Sequence, residues 1–108
     1  MPKIHIVKSW PDSFQAINRG EQTADIRLLD RGYTVGDFLI LREYWAGGHR
    51  YSDNWIGCAI THLEMKAEGL APGYGLLSLA VVVQGDRFDI TEFFIGPELT
   101  LQAKMAGN

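Results

Sequence analysis

Phe38-Leu39-Ile40-Leu41-Arg42-Glu43-Tyr44-Trp45 is an apolar run that passes into alternating side chains. It reads as a strand, with Arg42 and Glu43 on opposite faces. Val35-Gly36-Asp37 makes a tight corner before it, where glycine allows the bend and Asp37 can bond nearby amides. Ala46-Gly47-Gly48-His49 follows as a loop, most simply a hairpin connection. The next strand covers Trp55 to Leu63 and contains the apolar run Trp55-Ile56-Gly57-Cys58-Ala59-Ile60. Cys58 therefore reads as a buried, inert thiol. It is the single cysteine, so an intrachain disulfide or cysteine-cluster metal site is excluded, as befits a reducing cytoplasm.

Strands extend from this centre in both directions. Downstream, Met65 to Tyr74 holds Gly69, Pro72 and Gly73 and reads as a loop with one helical turn. Gly75 to Val83 is a long strand, Gln84-Gly85-Asp86 a turn and Arg87 to Thr91 its return strand. Glu98 to Met105 reads as a last strand, with a short helix as the alternative. Upstream, Lys3 to Lys8 is a short strand. Pro11 suits the first position of a helix, Asp12 its positive end, and Gly20 its termination, so the helix covers Pro11 to Arg19. Thr23 to Leu28 alternates again, with Ala24, Ile26 and Leu28 on one face and Thr23, Asp25 and Arg27 on the other. Five to seven mostly antiparallel strands and one clear helix describe a mainly β (α+β) domain, a small barrel with the helix beside a cleft.

The 108 residues are 46% hydrophobic and 21% charged, which suits one packed domain over residues 1–108. A net charge of −3 argues against a generally basic nucleic-acid coat. The charge is uneven: residues 1–50 sum to +1 and residues 51–108 to −4. Arg19, Arg27, Arg31, Arg42 and Arg50 all lie in the first half, so a local cationic site fits within an acidic chain. No signal-peptide core or membrane-length apolar run is present. His5, His49 and His62 are too widely spaced to form a metal-ligand pattern, and no cofactor is implied.

The order of motifs resembles a known family. His5, Lys8, Trp10-Pro11 and Phe14 precede Gly20-Glu21-Gln22-Thr23-Ala24-Asp25-Ile26-Arg27. Asp30-Arg31, Val35-Gly36-Asp37, Leu41-Arg42-Glu43-Tyr44, Tyr51-Ser52 and Pro72-Gly73-Tyr74 follow. Over residues 4–83 the chain is similar to the ASCH branch of the PUA-like superfamily, and in particular to small bacterial and phage members. Residues 84–108 form an extension beyond the match. The resemblance implies a five- or six-stranded barrel whose cleft binds RNA, modified bases or nucleotides. It also brings in an amidohydrolase activity on acylated cytidine nucleosides, found in a few small members. In those members the reactive lysine matches Gln22 and a threonine matches Asp25. Glutamine cannot replace a desolvated lysine as nucleophile or base, which disfavours that chemistry here. Glu21 and Gln22 also stand where the family commonly carries two lysines, which weakens phosphate attraction.

The candidate ligand site therefore comprises Lys8, Trp10, Thr23, Asp25, Arg27, Arg31 and Tyr74. Asp25 and Arg27 share one strand face and can present a carboxylate beside a guanidinium fork; the alternative is a structural ion pair closing the barrel. Trp10 beside Lys8 can stack a base, or instead pack as a helix staple. Tyr51 and Tyr74 can rim a pocket. An RNA, single-stranded nucleic acid or nucleotide ligand is the first expectation. A nucleoside-directed enzyme using Asp25, Glu43 and His5 is the second, although His5 alone reads as structural. The third is a phage-type modulator that meets a protein partner through residues 86–108, where Phe93-Phe94-Ile95 is the apolar feature.

Overall fold

The computed structural model of the chain describes residues 2–89. Within them lie five strands, one α-helix and a short 3-10 turn: β1 (Ile4–Ser9), α1 (Pro11–Asn18), β2 (Ala24–Leu28), β3 (Phe38–Trp45), a turn at Ala46–Gly48, β4 (Arg50–Glu64) and β5 (Tyr74–Gly85). The sheet order is β1-β3-β4-β5-β2, curled into a half-barrel. β1 runs parallel to β3, and the other three pairings are antiparallel. Among the described residues the two edge strands, β1 and β2, do not pair, so the expected small barrel takes the form of a half-barrel open between them.

The helix forms where its signals stand. Pro11 occupies the first turn with Asp12, while Phe14 and Ile17 are fully buried. They pack on the inner face of the sheet with Val7, Leu39, Leu41, Ile56, Cys58, Ile60, Leu77 and Leu79. The outer face carries a second cluster, Phe38, Ile40 and Trp55, flanked by Ile4, Ile6, Ala59, Val83 and Phe88. β3 thus buries both faces over Phe38 to Leu41, which explains why its sequence shows a continuous apolar run there rather than alternation.

Several boundaries differ from the sequence expectations. β4 begins at Arg50 rather than Trp55, because Tyr51 pairs with Tyr44, and Arg50 with Trp45, beyond a bulge in β4 where Ser52, Asp53 and Asn54 face the single residue Glu43. The pairs on either side hold Ser52-Asp53-Asn54 within the strand despite their weak strand preference. His49 takes the left-handed conformation (φ 49°) at the hairpin corner. Residues 65–73 contain turns and bends but no helix. Gly85 belongs to β5, opposite Trp55, and is not the centre of a turn. Residues 86–89 are bend and irregular chain, so no return strand begins at Arg87. The remainder of that expected strand, the strand expected at 98–105 and Phe93-Phe94-Ile95 lie outside the described residues.

One corner ties β1 to β3. Asp37, 3% exposed, accepts hydrogen bonds from the Lys3 amide (3.0 Å), the Thr34 amide (3.0 Å) and His5 Nε2 (2.9 Å). Gly36, at φ 96°, lets the chain turn there while its amide donates to the Ile60 carbonyl. Tyr33 lies 4.6 Å from the His5 ring and seals the corner.

Cys58 is buried as expected, and burial pushes its thiol pKa up to about 12. Native protein should therefore resist a thiol reagent at pH 8 and react only once urea unfolds it. Fast labelling without denaturant would contradict the packing of β4.

Candidate functional site

The gap between the edge strands is a cavity of about 380 Å³. Ile6, Val7 and Lys8 border it from β1, Arg27 and Leu28 from β2, and Asp30, Arg31 and Tyr33 from the connection after β2; Tyr51 reaches it from β4. The alternation of β2 positions the first of these groups. Asp25 and Arg27 lie opposite Leu77 and Gly75 and turn inward, while Ile26 and Leu28 are exposed at 57% and 48%. The polar face of this strand is the sheltered one, which reverses the usual arrangement, because β2 is an edge whose inner side borders a wet gap rather than a sealed core.

Arg27 Nε donates to Asp25 Oδ2 at 2.8 Å, and both side chains are largely sheltered. The structural pairing weighed from the sequence therefore exists, and Asp25 does not line the cavity. The pair orients Arg27, which does. Arg31 donates to the Ile6 carbonyl at 3.1 Å and so covers part of the free edge of β1. Asp30 stands 3.9 Å from Arg31. Lys8 has no carboxylate partner among the described residues; its ammonium sits 4.4 Å above the Tyr44 ring. Burial raises the Tyr33 pKa, and the nearby Arg31 and Arg27 act against that rise.

An aromatic strip continues from the cavity. Tyr51 packs edge-on against Tyr44 (4.9 Å between centroids), and Trp10, 56% exposed, lies 5.7 Å beyond on Tyr44. Arg42, on the outer face, is held between the Tyr51 and Phe88 rings at 3.8 and 4.0 Å. Its buried Nε has no hydrogen-bond partner among the described residues, and both π faces attract its charge.

Of the residues singled out from sequence, Lys8, Arg27 and Arg31 meet in one cavity, and Trp10 stands next to it through Tyr44. Thr23 is exposed ahead of β2; its carbonyl accepts from Leu79 N. Tyr74 pairs with Leu28 and is exposed but does not line the cavity. Tyr33 was missed as a lining residue, for a lone tyrosine after a glycine carries no signal of its own. His5 and Glu43, weighed as acid–base groups, are interior and committed to structural hydrogen bonds. Gln22 donates to Ser13 Oγ and the Ala24 carbonyl, both at 2.8 Å, and so braces the helix against β2. Among the described residues there is no cluster of three side chains that could hold a metal ion, and no helix is long and apolar enough to cross a membrane.

Fold and cleft together define a small, mainly β domain with one helix and a charged opening between its sheet edges. The chain belongs to the family described as Domain of unknown function (DUF3850), which matches residues 4–79. Every strand but the end of β5, together with the whole cleft, falls inside that match. Over 47 residues the chain is also 43% identical to the "Uncharacterized 12.9 kDa protein in GpA 3'region" of Escherichia phage P2. That stretch is 44% of this chain and 43% of the phage protein, so the chain spans less than half the length of this relative.

Proposed function

We propose that the domain is an ASCH-type member of the PUA-like superfamily and that its cleft binds RNA or another phosphate-bearing nucleic-acid ligand. The carrying observation is the convergence of Lys8, Arg27 and Arg31, from two edge strands and a loop, on one cavity. Arginine offers a planar fork suited to phosphate oxygens, and here each arginine is held by a bond to Asp25 or to the Ile6 carbonyl. Asp25 and Asp30 offset two of the three cations, so the attraction is local and selective rather than that of a basic surface. Tyr51, Tyr44 and Trp10 supply ring faces for unstacked bases, which favours a single strand over a duplex.

The test is fluorescence anisotropy with a labelled single-stranded RNA across a salt series. Each phosphate contact contributes a slope of about −0.7 in log K against log salt. Arg31→Ala and Lys8→Ala should each weaken binding and reduce that slope by about 0.7, with circular dichroism unchanged. Trp10→Ala should weaken binding without altering the slope, because stacking releases no counterions. Absence of binding at low salt, or binding indifferent to all three variants, would remove the proposal.

A further inference from the structure

A second cavity, of about 430 Å³, has the opposite polarity. It lies where α1 meets the beginning of β4 and the end of β5, lined by Phe14, Gln15, Asn18, Asn54, Gln84, Gly85 and Asp86. Four of these residues carry carboxamides and one a carboxylate, and none is cationic.

The orientation of the carboxamides follows from what holds them. Glu43, 2% exposed, sits behind the cavity and accepts from Gln15 Nε2 at 2.8 Å, Ser52 Oγ at 2.7 Å and Asn54 Nδ2 at 3.2 Å. Burial pushes its carboxyl pKa up, but the bonds from Gln15, Ser52, Asn54 and Trp45 outweigh that and hold it below the ordinary glutamate value. Glu43 is therefore an anion, and it draws the amino ends of Gln15 and Asn54 toward itself. Gln84 Nε2 donates to both the Asn18 carbonyl (2.8 Å) and Asn18 Oδ1 (2.9 Å), which uses both of its hydrogens. The side-chain amide oxygens of Gln15, Asn54 and Gln84 accept no hydrogen bond from the described residues. Asp86 is exposed and makes no hydrogen bond or ion pair with another described residue.

We infer that this cavity binds a cationic hydrogen-bond donor, a guanidinium or ammonium group on an alkyl stem. A carboxylate and three amide oxygens match the several N–H groups of such a head, Phe14 offers apolar surface to the stem, and nothing in the lining repels positive charge. The volume falls in the range of small-ligand pockets. An anionic ligand would meet the negative ends of the same groups, so this pocket and the cationic cleft select opposite charges. The inference stands apart from the proposed function, since it uses none of the cleft residues.

The head group can belong to a free amine or to an arginine side chain of a protein partner, and two probes separate these sources. Agmatine and the capped peptide acetyl-Gly-Arg-Gly-amide are titrated into isotopically labelled full-length protein at low salt, with the neutral N-butylurea as control. Saturable shifts of the Gln15, Asn54 and Gln84 side-chain amides with either cation, and none with N-butylurea, are expected. Agmatine alone would mark a small-molecule site; both probes together, a site open to a protein side chain. Asp86→Asn, a surface change remote from the core, should weaken binding about tenfold. Gln84→Leu should weaken it as well, and retained amide dispersion would show that each variant is folded. Equal shifts with N-butylurea, no saturation with either cation, or undiminished binding by Asp86→Asn would overturn the inference.

Discussion

Asp37→Ala is expected to cost about 3–5 kcal/mol, the range for removing one partner from a buried, hydrogen-bonded charged group. The carboxylate accepts from two backbone amides and from His5, and alanine leaves the buried His5 nitrogen and two part-buried amides without their acceptor. The damage is also topological. β1 and β3 form the parallel pair, and parallel neighbours have no tight hairpin to hold their register. Asp37 supplies that tie by joining Lys3, ahead of β1, to the corner that opens β3. With a urea m-value of about 1–2 kcal/mol/M, the midpoint should fall by about 1.5–5 M. An unchanged midpoint would show that the corner does not hold the strands together.

The same carboxylate gives a pH signature. Burial, the largest influence on Asp37, pushes its pKa up, but bonds from His5 and from the Lys3 and Thr34 amides overcome this and hold it below the ordinary 3.8. Glu43 is likewise held below its ordinary 4.5. Between each depressed folded pKa and the higher unfolded value, the unfolded chain binds more protons, so stability rises with pH. The contribution is complete above about pH 4.5 and is lost as pH falls through the folded values. Urea midpoints measured from pH 6 to pH 2.5 should therefore drop below pH 4.5, and the drop should be smaller in Asp37→Asn.

Gly85→Ala is the second large effect expected. A methyl group at this position would overlap the indole of Trp55, at Nε1 and the adjoining ring carbons. Trp55 is 3% exposed in the outer cluster, and its Nε1 donates to the Arg87 carbonyl at 3.2 Å, so the ring has little freedom to retreat. Overpacking of this kind costs about 1–3 kcal/mol. Trp55→Leu alone should also destabilise, through the lost ring volume. The double variant should be more stable than the sum of the two losses, because the smaller side chain admits the methyl. Simple additivity, measured by urea unfolding of the four proteins, would show that the glycine is not there for the indole.

That glycine illustrates the limit of local reading. Gln84-Gly85-Asp86 has the composition of a turn, and nothing nearby in sequence announces a tryptophan thirty residues upstream. β4 was read five residues short for a similar reason: Ser52-Asp53-Asn54 resembles a connection until Tyr51 is placed beside Tyr44. By contrast, α1, β2 and β3 were legible nearly to the residue. Their signals are local: Pro11 and Asp12 at a helix start, alternation through Thr23 to Leu28, and a long apolar run between two glycine-bearing turns. In the candidate site, Lys8, Arg27 and Arg31 could be named individually. That Asp25 would orient Arg27 from outside the cavity, and that Thr23 and Tyr74 would stand apart, depends on how far the sheet curls.

A net charge of −3 and an arginine-bearing first half were set by composition alone, and strand and helix positions by short-range periodicity. Pairing of distant strands decided the rest. The parallel placement of β1 beside β3 leaves β1 and β2 as unpaired edges, and only that opening brings three cations, more than twenty residues apart at their extremes, into one cleft. The folding of α1 against the ends of β4 and β5 likewise turns scattered amides into a pocket of the opposite sign. Charge can be counted along a chain, but which charges share a cavity is a property of the sheet.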